Sequence, residues 1–247
     1  MNAQNVLQNC TVNGNIVSLP TGKLDRKIYM EVAKSLNLIG GKWKGHKVQG
    51  FVFESNPTEL LKSIATGDKR NLKKEFQFFE TPKELARHLV GLAQIEPQHT
   101  VLEPSAGQGS IVRAINDLSG VTPAIYELMP TNRIVLENRK YQDGMEYELL
   151  GNDFLENTKK FHRIIANPPF NKNQDVTHIM KMYNSLEKGG RLVSVASPHW
   201  TFGTEKVCEE FRKFLHFANS IVEDIPAGVF KASGTMIGAK IIIIDRD

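Results

Sequence analysis

The residues best suited to chemistry in this 247-residue chain are four in a row, Asn167-Pro168-Pro169-Phe170. Two successive prolines fix the backbone and remove two N–H donors, so the loop presents carbonyl oxygens. Such oxygens suit the amine of an aromatic ring, whose lone pair is delocalised and therefore a poor nucleophile. If the Asn167 side-chain oxygen and the Pro168 carbonyl each accept one N–H, the nitrogen is drawn toward a tetrahedral shape and its lone pair is exposed for attack. The gain comes from orientation and from charge stabilisation preformed in the site. Phe170 adds a flat apolar surface on which a nucleobase can stack, worth about 1–3 kcal/mol per base. The plainer alternative is a rigid turn, and the apolar run just before Asn167 argues against it.

An electrophile must be held opposite that amine, and a second constellation supplies the means. The segment Val101-Leu102-Glu103-Pro104-Ser105-Ala106-Gly107-Gln108-Gly109-Ser110-Ile111-Val112 reads as a short strand, a glycine-turned loop and a helix start. Gly107 and Gly109 let the backbone turn tightly and approach a ligand. A dinucleotide loop carries a third glycine on the fuller spacing, where this chain has Val112. An acid at the end of the first strand, Glu103, suits a cationic amino-acid ligand better than a pyrophosphate. Glu127 lies 20 residues past Gly107, where a carboxylate can accept ribose hydroxyls. Asp153 follows the third strand in Gly151-Asn152-Asp153-Phe154 and can accept from an adenine amino group, with Phe154 against the ring. Each acid alone reads as a helix cap or a surface charge. Their succession at the carboxyl ends of strands one, two and three is the edge at which open α/β sheets bind ligands.

Upstream, Phe79-Glu80-Thr81-Pro82-Lys83-Glu84 carries a capping signature, with Thr81 as cap, Pro82 in the first turn and Glu84 reaching back. It is either a helix start alone or an N-terminus whose free N–H groups attract a carboxylate.

The elements that must position these groups follow from periodicity. Apolar runs predict strands near Val101–Glu103, Ala124–Leu128, Tyr147–Leu150, Arg163–Ala166, Arg191–Ala196, Ser220–Ile225 and Ala239–Ile244, alternating with amphipathic helical stretches. This pattern predicts an α/β fold, a seven-stranded, mainly parallel sheet with helices on both faces. Residues 1–22 read as a loosely held polar arm broken by Gly14, Pro20 and Gly22. A helix over Leu24–Leu38, a strand in the KVQGFVFES stretch and a helix from Asn56-Pro57 to Gly67 follow. The expected partition is an N-terminal α/β extension, 1–75, and a catalytic domain, 76–247.

Charge separates the same two parts. Residues 1–76 hold 12 Lys/Arg against 6 Asp/Glu, a balance of +6, within a chain whose net charge is +4. Such asymmetry fits an element that lies on a polyanion while a less basic domain does chemistry. A solvated basic face is the alternative.

Taken together, the motifs resemble the N6-adenine DNA methyltransferases of the amino-methyltransferase superfamily, in the order F-x-T-P, E-P-x-x-G-x-G, N-P-P-F of the gamma arrangement. The likeness covers about residues 76–247 and implies a Rossmann-like class I methyltransferase fold using S-adenosylmethionine. By this resemblance Phe79, Thr81, Glu103, Ser105, Ala106, Gly107, Gly109, Glu127, Leu128, Asp153, Phe154, Asn167 and Pro169 line the cofactor pocket. Asn167, Pro168 and Phe170 hold the target amine. Trp200, in Ser197-Pro198-His199-Trp200, and Phe230, in Gly228-Val229-Phe230, sit where gamma enzymes place later motifs. Phe230 is either the opposite face of a base sandwich or a core aromatic. The resemblance departs in one respect, since gamma enzymes carry a long target-recognition domain after the last strand and this sequence ends at Asp247. Recognition is then expected from the basic N-terminal part, from the 170–176 loop or from a partner subunit.

The expected substrate is adenine N6 in DNA. RNA adenine N6, guanine N2 in RNA and a protein glutamine amide are the enzymatic alternatives. A nucleic-acid-binding subunit without activity is the alternative from another class, disfavoured because the acids and Asn-Pro-Pro are intact. No membrane helix or signal peptide is expected, which implies a cytoplasmic protein. Cys10 and Cys208 are expected to be free thiols, with no metal site.

Overall fold

Asn2 starts the N-terminal unit by capping a helix, α1 (Ala3–Gln8), its side-chain oxygen accepting the Asn5 N–H at 2.9 Å in this computed structural model. The structure describes residues 2–22, 24–39, 41–45, 48–53, 56–65, 80–230 and 238–247. These fall into two units, Met1–Phe76 and Gln77–Asp247.

The first unit is more regular than its sequence suggested. After α1 come β1 (Thr11–Asn13), β2 (Ile16–Ser18), α2 (Arg26–Leu38), β3 (Lys42–Lys44), β4 (Gly50–Val52) and α3 (Thr58–Ala65). The four strands form an antiparallel sheet in the order β1-β2-β4-β3. The expected polar arm over 1–22 is thus corrected to a helix and a hairpin. Gly14, read as a breaker, makes the two-residue turn of that hairpin at φ +60°. Val6, Leu7 and Val17 from this segment are buried with Val32, Leu36, Phe51, Phe53 and Leu61, and that shared apolar core anchors it. Asp25 caps α2 by accepting from Lys27 and Ile28, and Asn56 accepts the Thr58 N–H at 3.0 Å before α3.

The second unit continues with α4 (Lys83–Ala93), β5 (Val101–Glu103), α5 (Ser110–Ser119), β6 (Ala124–Tyr126), α6 (Pro130–Asp143), β7 (Glu148–Gly151) and β8 (Phe161–Ala166). Then come α7 (Gln174–Asn184), β9 (Leu186–Ala196), α8 (Lys206–Phe217), β10 (Ile221–Ile225) and β11 (Ala239–Arg246). Seven strands form one sheet in the order β10-β11-β9-β8-β5-β6-β7, with only β11 antiparallel to its neighbours. This is the Rossmann-like class I methyltransferase fold that the sequence implied, with a small N-terminal sheet added to it.

Alternation assigns the faces. Ile241 and Ile243 join Val101, Ile165, Val193 and Val195 in a core under α4 and α5, while Ile242 and Ile244 join Leu102, Ile164 and Leu192 in a core under α7 and α8. Strand β9 is longer than its apolar part predicted because Gly189 and Gly190 let it run back to Leu186. The order reverses direction between β5 and β8, so the loops after these neighbouring strands diverge and leave a crevice at their carboxyl ends. The loop after β5 carries Glu103 and the glycines, and the loop after β8 begins at Asn167. Among the described residues no helix is long and apolar enough to cross a membrane.

Candidate active site

Glu103 ends β5 with its side chain 2% exposed, and its Oε2 has no hydrogen-bond partner among the described residues. Burial pushes the carboxyl well above the usual range, the Glu127 carboxylate adds to this, and the Val112 backbone N–H opposes it. A buried acid with an orphaned oxygen is costly by itself and is relieved by a cationic partner. The donor chemistry therefore fits the ammonium of an amino-acid ligand such as S-adenosylmethionine.

Glu127, just past β6, is the organiser of the adjoining loop. Its Oε2 accepts the Gly107 N–H at 2.6 Å, and its Oε1 accepts from the Met129 N–H at 2.7 Å and from Asn132 Nδ2 at 3.2 Å. Burial raises its pKa, and these donors together with Arg133 hold it down. A carboxylate offers about four lone-pair positions, so one remains for a ribose hydroxyl. Arg133 also reaches the Glu127 carbonyl at 3.3 Å and the side chain of Asn152, joining the ends of β6 and β7.

Gly107 and Gly109 adopt φ of +57° and +88°. A Cβ on Gly109 would lie 2.8 Å from Met145 and 2.9 Å from Leu136, so the close approach requires glycine as well as the turn. Ser105 is half-buried, Ala106 is buried, and Leu128 is 51% exposed beside Glu127. Asp153 is half-buried and its Oδ1 accepts the Leu155 N–H at 2.9 Å, capping the turn Phe154–Glu156. Its second oxygen is the one available to a ligand.

The acceptor loop is tied to the chain that precedes α4. Asn167 Nδ2 donates to Thr81 Oγ1 at 3.1 Å, which turns the amide so that its oxygen lies on the opposite edge. The expectation that Thr81 caps α4 is corrected here. Pro82 occupies the cap position, no side chain caps the helix, and the Thr81 hydroxyl serves Asn167. Pro168 is buried, Pro169 and Phe170 are half-buried, and Phe170 packs against the core under α4. Lys172 and Asn173 follow in the left-handed region at φ +52° and +60°, turning the chain into α7.

Two aromatic expectations are corrected, and for Phe230 the core alternative is the one observed. Phe154 is buried in the core, edge-on to Tyr126 at 5.9 Å and beside His178 at 5.8 Å, so its ring backs the pocket wall and presents no open face. Trp200 is 7% exposed and perpendicular to Phe211 at 5.4 Å, and Phe230 is 1% exposed in the core under α4. Neither offers a stacking surface for a base in this conformation, because each large ring gains more from the apolar core behind the strand ends. Phe79 lies outside the described residues, as do Lys69, Arg70, Lys73 and Lys74, while Lys42 and Lys44 are exposed on β3.

Sequence reasoning missed the groups that hold the site in place. Asn132, which donates to Glu127, lies in the first turn of α6. Glu80 accepts from Ser110 Oγ at 3.3 Å and approaches Arg139 at 3.7 Å. Asp175, wholly buried in the first turn of α7, accepts the Ser197 N–H at 2.8 Å and so joins the segment after β8 to that after β9. Burial raises its pKa against this bond. By sequence Asp175 falls in the 170–176 loop, whereas the helix starts at Gln174, and the partner of Asp175 is set by tertiary structure.

Comparison with known proteins adds a family to this geometry. Residues 86–220 match the Methyltransferase small domain family. The methylase subunit of the type I restriction enzyme MjaVII from Methanocaldococcus jannaschii is 31% identical over 131 residues, 44% of this chain and 22% of that protein. The chain thus spans about a fifth of the length of this curated relative. Among solved structures, the M protein of the type I restriction enzyme EcoKI superposes with a TM-score of 0.56 at 16% identity, covering 91% of this chain and 55% of the other. TrmN from Thermus thermophilus gives 0.53 at 15% identity, covering 93% and 70%.

Proposed function

Because the chain belongs to the Methyltransferase small domain family, we propose that it transfers a methyl group from S-adenosylmethionine to the N6 amino group of adenine in DNA, the base being turned out of the helix into the Asn167–Phe170 loop. The observation that carries this reading is the Asn167–Thr81 hydrogen bond beside the buried acid Glu103. With Nδ2 turned to Thr81, the Asn167 carbonyl oxygen lies on the other edge of the amide, where it can accept from a target amine.

When bound, S-adenosylmethionine supplies a methyl group on a sulfonium centre. Glu103 would receive the cofactor's ammonium, Glu127 one ribose hydroxyl and Asp153 the adenine amine, while Gly107 and Gly109 would admit the ligand to the backbone. Thr81, Ser105, Ala106, Leu128 and Pro169 border the same crevice. Asn167 Oδ1 and the Pro168 carbonyl would accept the two N–H bonds of the target amine and leave its lone pair exposed for attack. Phe170 stacks on the base. The proton released by the amine leaves to solvent. The similarity to a methylase subunit of a type I restriction enzyme favours a partner subunit as the source of sequence recognition. The excess of basic residues over 1–76 favours a contribution from that unit to holding DNA.

The test is methyl transfer from labelled S-adenosylmethionine to DNA, RNA and peptide in parallel, with digestion to identify the modified nucleoside. N6-methyladenine in DNA is expected, and Asn167→Ala should lower the single-turnover rate by about 100-fold or more while leaving DNA affinity nearly unchanged. Label appearing in RNA or in glutamine instead would overturn the assignment of DNA.

A further inference from the structure

Three side chains of different chemistry meet beyond the end of β9. His199 lies in the short turn His199–Thr201, Glu205 precedes α8, and Cys208 lies in the first turn of α8. One donor atom from each, the imidazole Nε2, a carboxylate oxygen and the Sγ, all lie within 4.8 Å of one another. His199 Nε2 and Glu205 Oε1 are 2.9 Å apart.

Gly203 shows that these atoms converge. A Cβ built on Gly203 would sit 2.6 Å from Glu205 Oε2, 2.9 Å from Cys208 Sγ and 3.0 Å from His199 Nε2. The only residue type that leaves this space open is the one present. Its backbone is not in the left-handed region, so the glycine is not explained by φ. Its N–H donates to the His199 carbonyl at 2.8 Å and its carbonyl accepts from Arg212 at 2.9 Å, which pins the turn around the three donors.

A fourth group lies close by. Asp175 is wholly buried, its Oδ2 accepts the Ser197 N–H, and its Oδ1 has no hydrogen-bond partner among the described residues. The Ser197 that it holds lies two residues before His199 in the chain. The His199 nitrogen, the Glu205 carboxylate and the Cys208 sulfur are donor types that a divalent cation takes, and the Arg212 guanidinium that holds the Gly203 carbonyl lies at the same turn.

We propose that His199, Glu205 and Cys208 bind one zinc ion, with water completing the coordination. Imidazole, carboxylate and thiolate are the three protein ligand types of zinc, at about 2.0–2.3 Å from the metal. Tetrahedral geometry sets such atoms about 3.3–3.8 Å apart, so small side-chain rotations suffice from the present spacing. On binding, the Cys208 thiol gives its proton to solvent and the sulfur bonds to the metal, while the proton that His199 Nε2 donates to Glu205 passes to solvent, or is replaced by one on Nδ1, so that the nitrogen and the carboxylate oxygen each bond the metal. The ion would staple the turn after β9 to the start of α8. Through Asp175 and Ser197 it would brace the segment beside the acceptor loop. This role does not depend on which substrate is methylated.

The experiment is metal analysis of untagged full-length protein purified from zinc-supplemented medium, followed by cobalt(II) titration of the chelator-stripped protein. About one zinc per chain is expected, with a near-ultraviolet thiolate-to-cobalt absorption band and zinc raising the melting temperature. Cys10→Ser, altering the other cysteine, should retain all three properties. Cys208→Ser should lose the band and the thermal shift. Gly203→Ala keeps every ligand but fills the space between them, and should lose metal in the same way. Its far-ultraviolet circular dichroism, and that of Cys208→Ser, establishes that the loss is not unfolding. Absence of zinc and of the cobalt band in folded wild-type protein, or a band that survives Cys208→Ser, would overturn the proposal.

Discussion

Asn167 and Thr81 are 86 residues apart in the chain and 3.1 Å apart in the structure, joined by a hydrogen bond from the amide nitrogen of one to the hydroxyl of the other. The bond crosses from the loop after β8 to the segment that leads into α4, and with Nδ2 turned to Thr81 the oxygen of the Asn167 amide lies on the other edge. An amide that can rotate freely would present its nitrogen half the time, and a nitrogen donor repels the N–H of an amine. Thr81 is therefore a positioning residue for the proposed chemistry.

Thr81→Val keeps the shape and removes the hydroxyl. It should lower the single-turnover methylation rate about five- to tenfold, the worth of one net hydrogen bond, and leave DNA affinity unchanged. Thr81→Ser, which restores the acceptor, should recover most of the rate. Equal losses in the valine and serine variants would show that packing, and not the hydrogen bond, is what Thr81 contributes.

Glu103 predicts opposite effects on stability and on binding. Its folded pKa is raised above the ordinary value near 4.5, chiefly by burial. The stability linked to its proton is thus fully present below that ordinary value and is lost as pH rises through the raised one. Glu103→Gln carries no such penalty. Ligand-free Glu103→Gln should gain in melting temperature relative to wild type as pH is raised from 4 to 8, and should bind S-adenosylmethionine at least tenfold more weakly by calorimetry. A variant that binds the cofactor as tightly as wild type would remove Glu103 from the site.

Gly109→Ala meets two obstacles, a φ of +88° and a Cβ 2.8 Å from Met145. The left-handed conformation costs about 1–2 kcal/mol in a residue with a side chain, and overpacking typically adds about 1–3 kcal/mol. Urea denaturation should show a loss of roughly 2–4 kcal/mol, together with weakened cofactor binding. A stability within error of wild type would mean that the loop relaxes without strain.

The basic N-terminal unit should act through phosphates. Neutralising Lys69, Arg70, Lys73 and Lys74 together should weaken binding to all DNA sequences alike and flatten the dependence of log affinity on log salt by about 0.9 for each phosphate no longer neutralised. Cofactor affinity should not change. An unaltered salt slope would assign this charge to solubility.

The sequence by itself determined the elements of the second unit and the order of its chemistry. Apolar runs long enough to fill a strand, such as Ile241 to Ile244, are local signals, and so is a proline pair after such a run. The observed strands fall within a few residues of where those runs placed them. Glycines were legible at Gly107 and Gly109 for the same reason, since a tight turn is a property of neighbouring residues. What each breaker does was not legible: Gly14 and its neighbours looked like a loose arm and instead turn a hairpin, because the core formed with Phe51 and Leu36 comes from residues farther along the chain. Nor could spacing say that Phe154, Trp200 and Phe230 would face inward, since an aromatic after a strand fits a ligand wall and a core equally well. Tertiary structure alone decided the pairings Gly107–Glu127, Thr81–Asn167 and Asp175–Ser197. They arise because the sheet order β9-β8-β5-β6 brings loops distant in sequence to one edge, and each buried polar group there must find its partner among whatever that edge assembles.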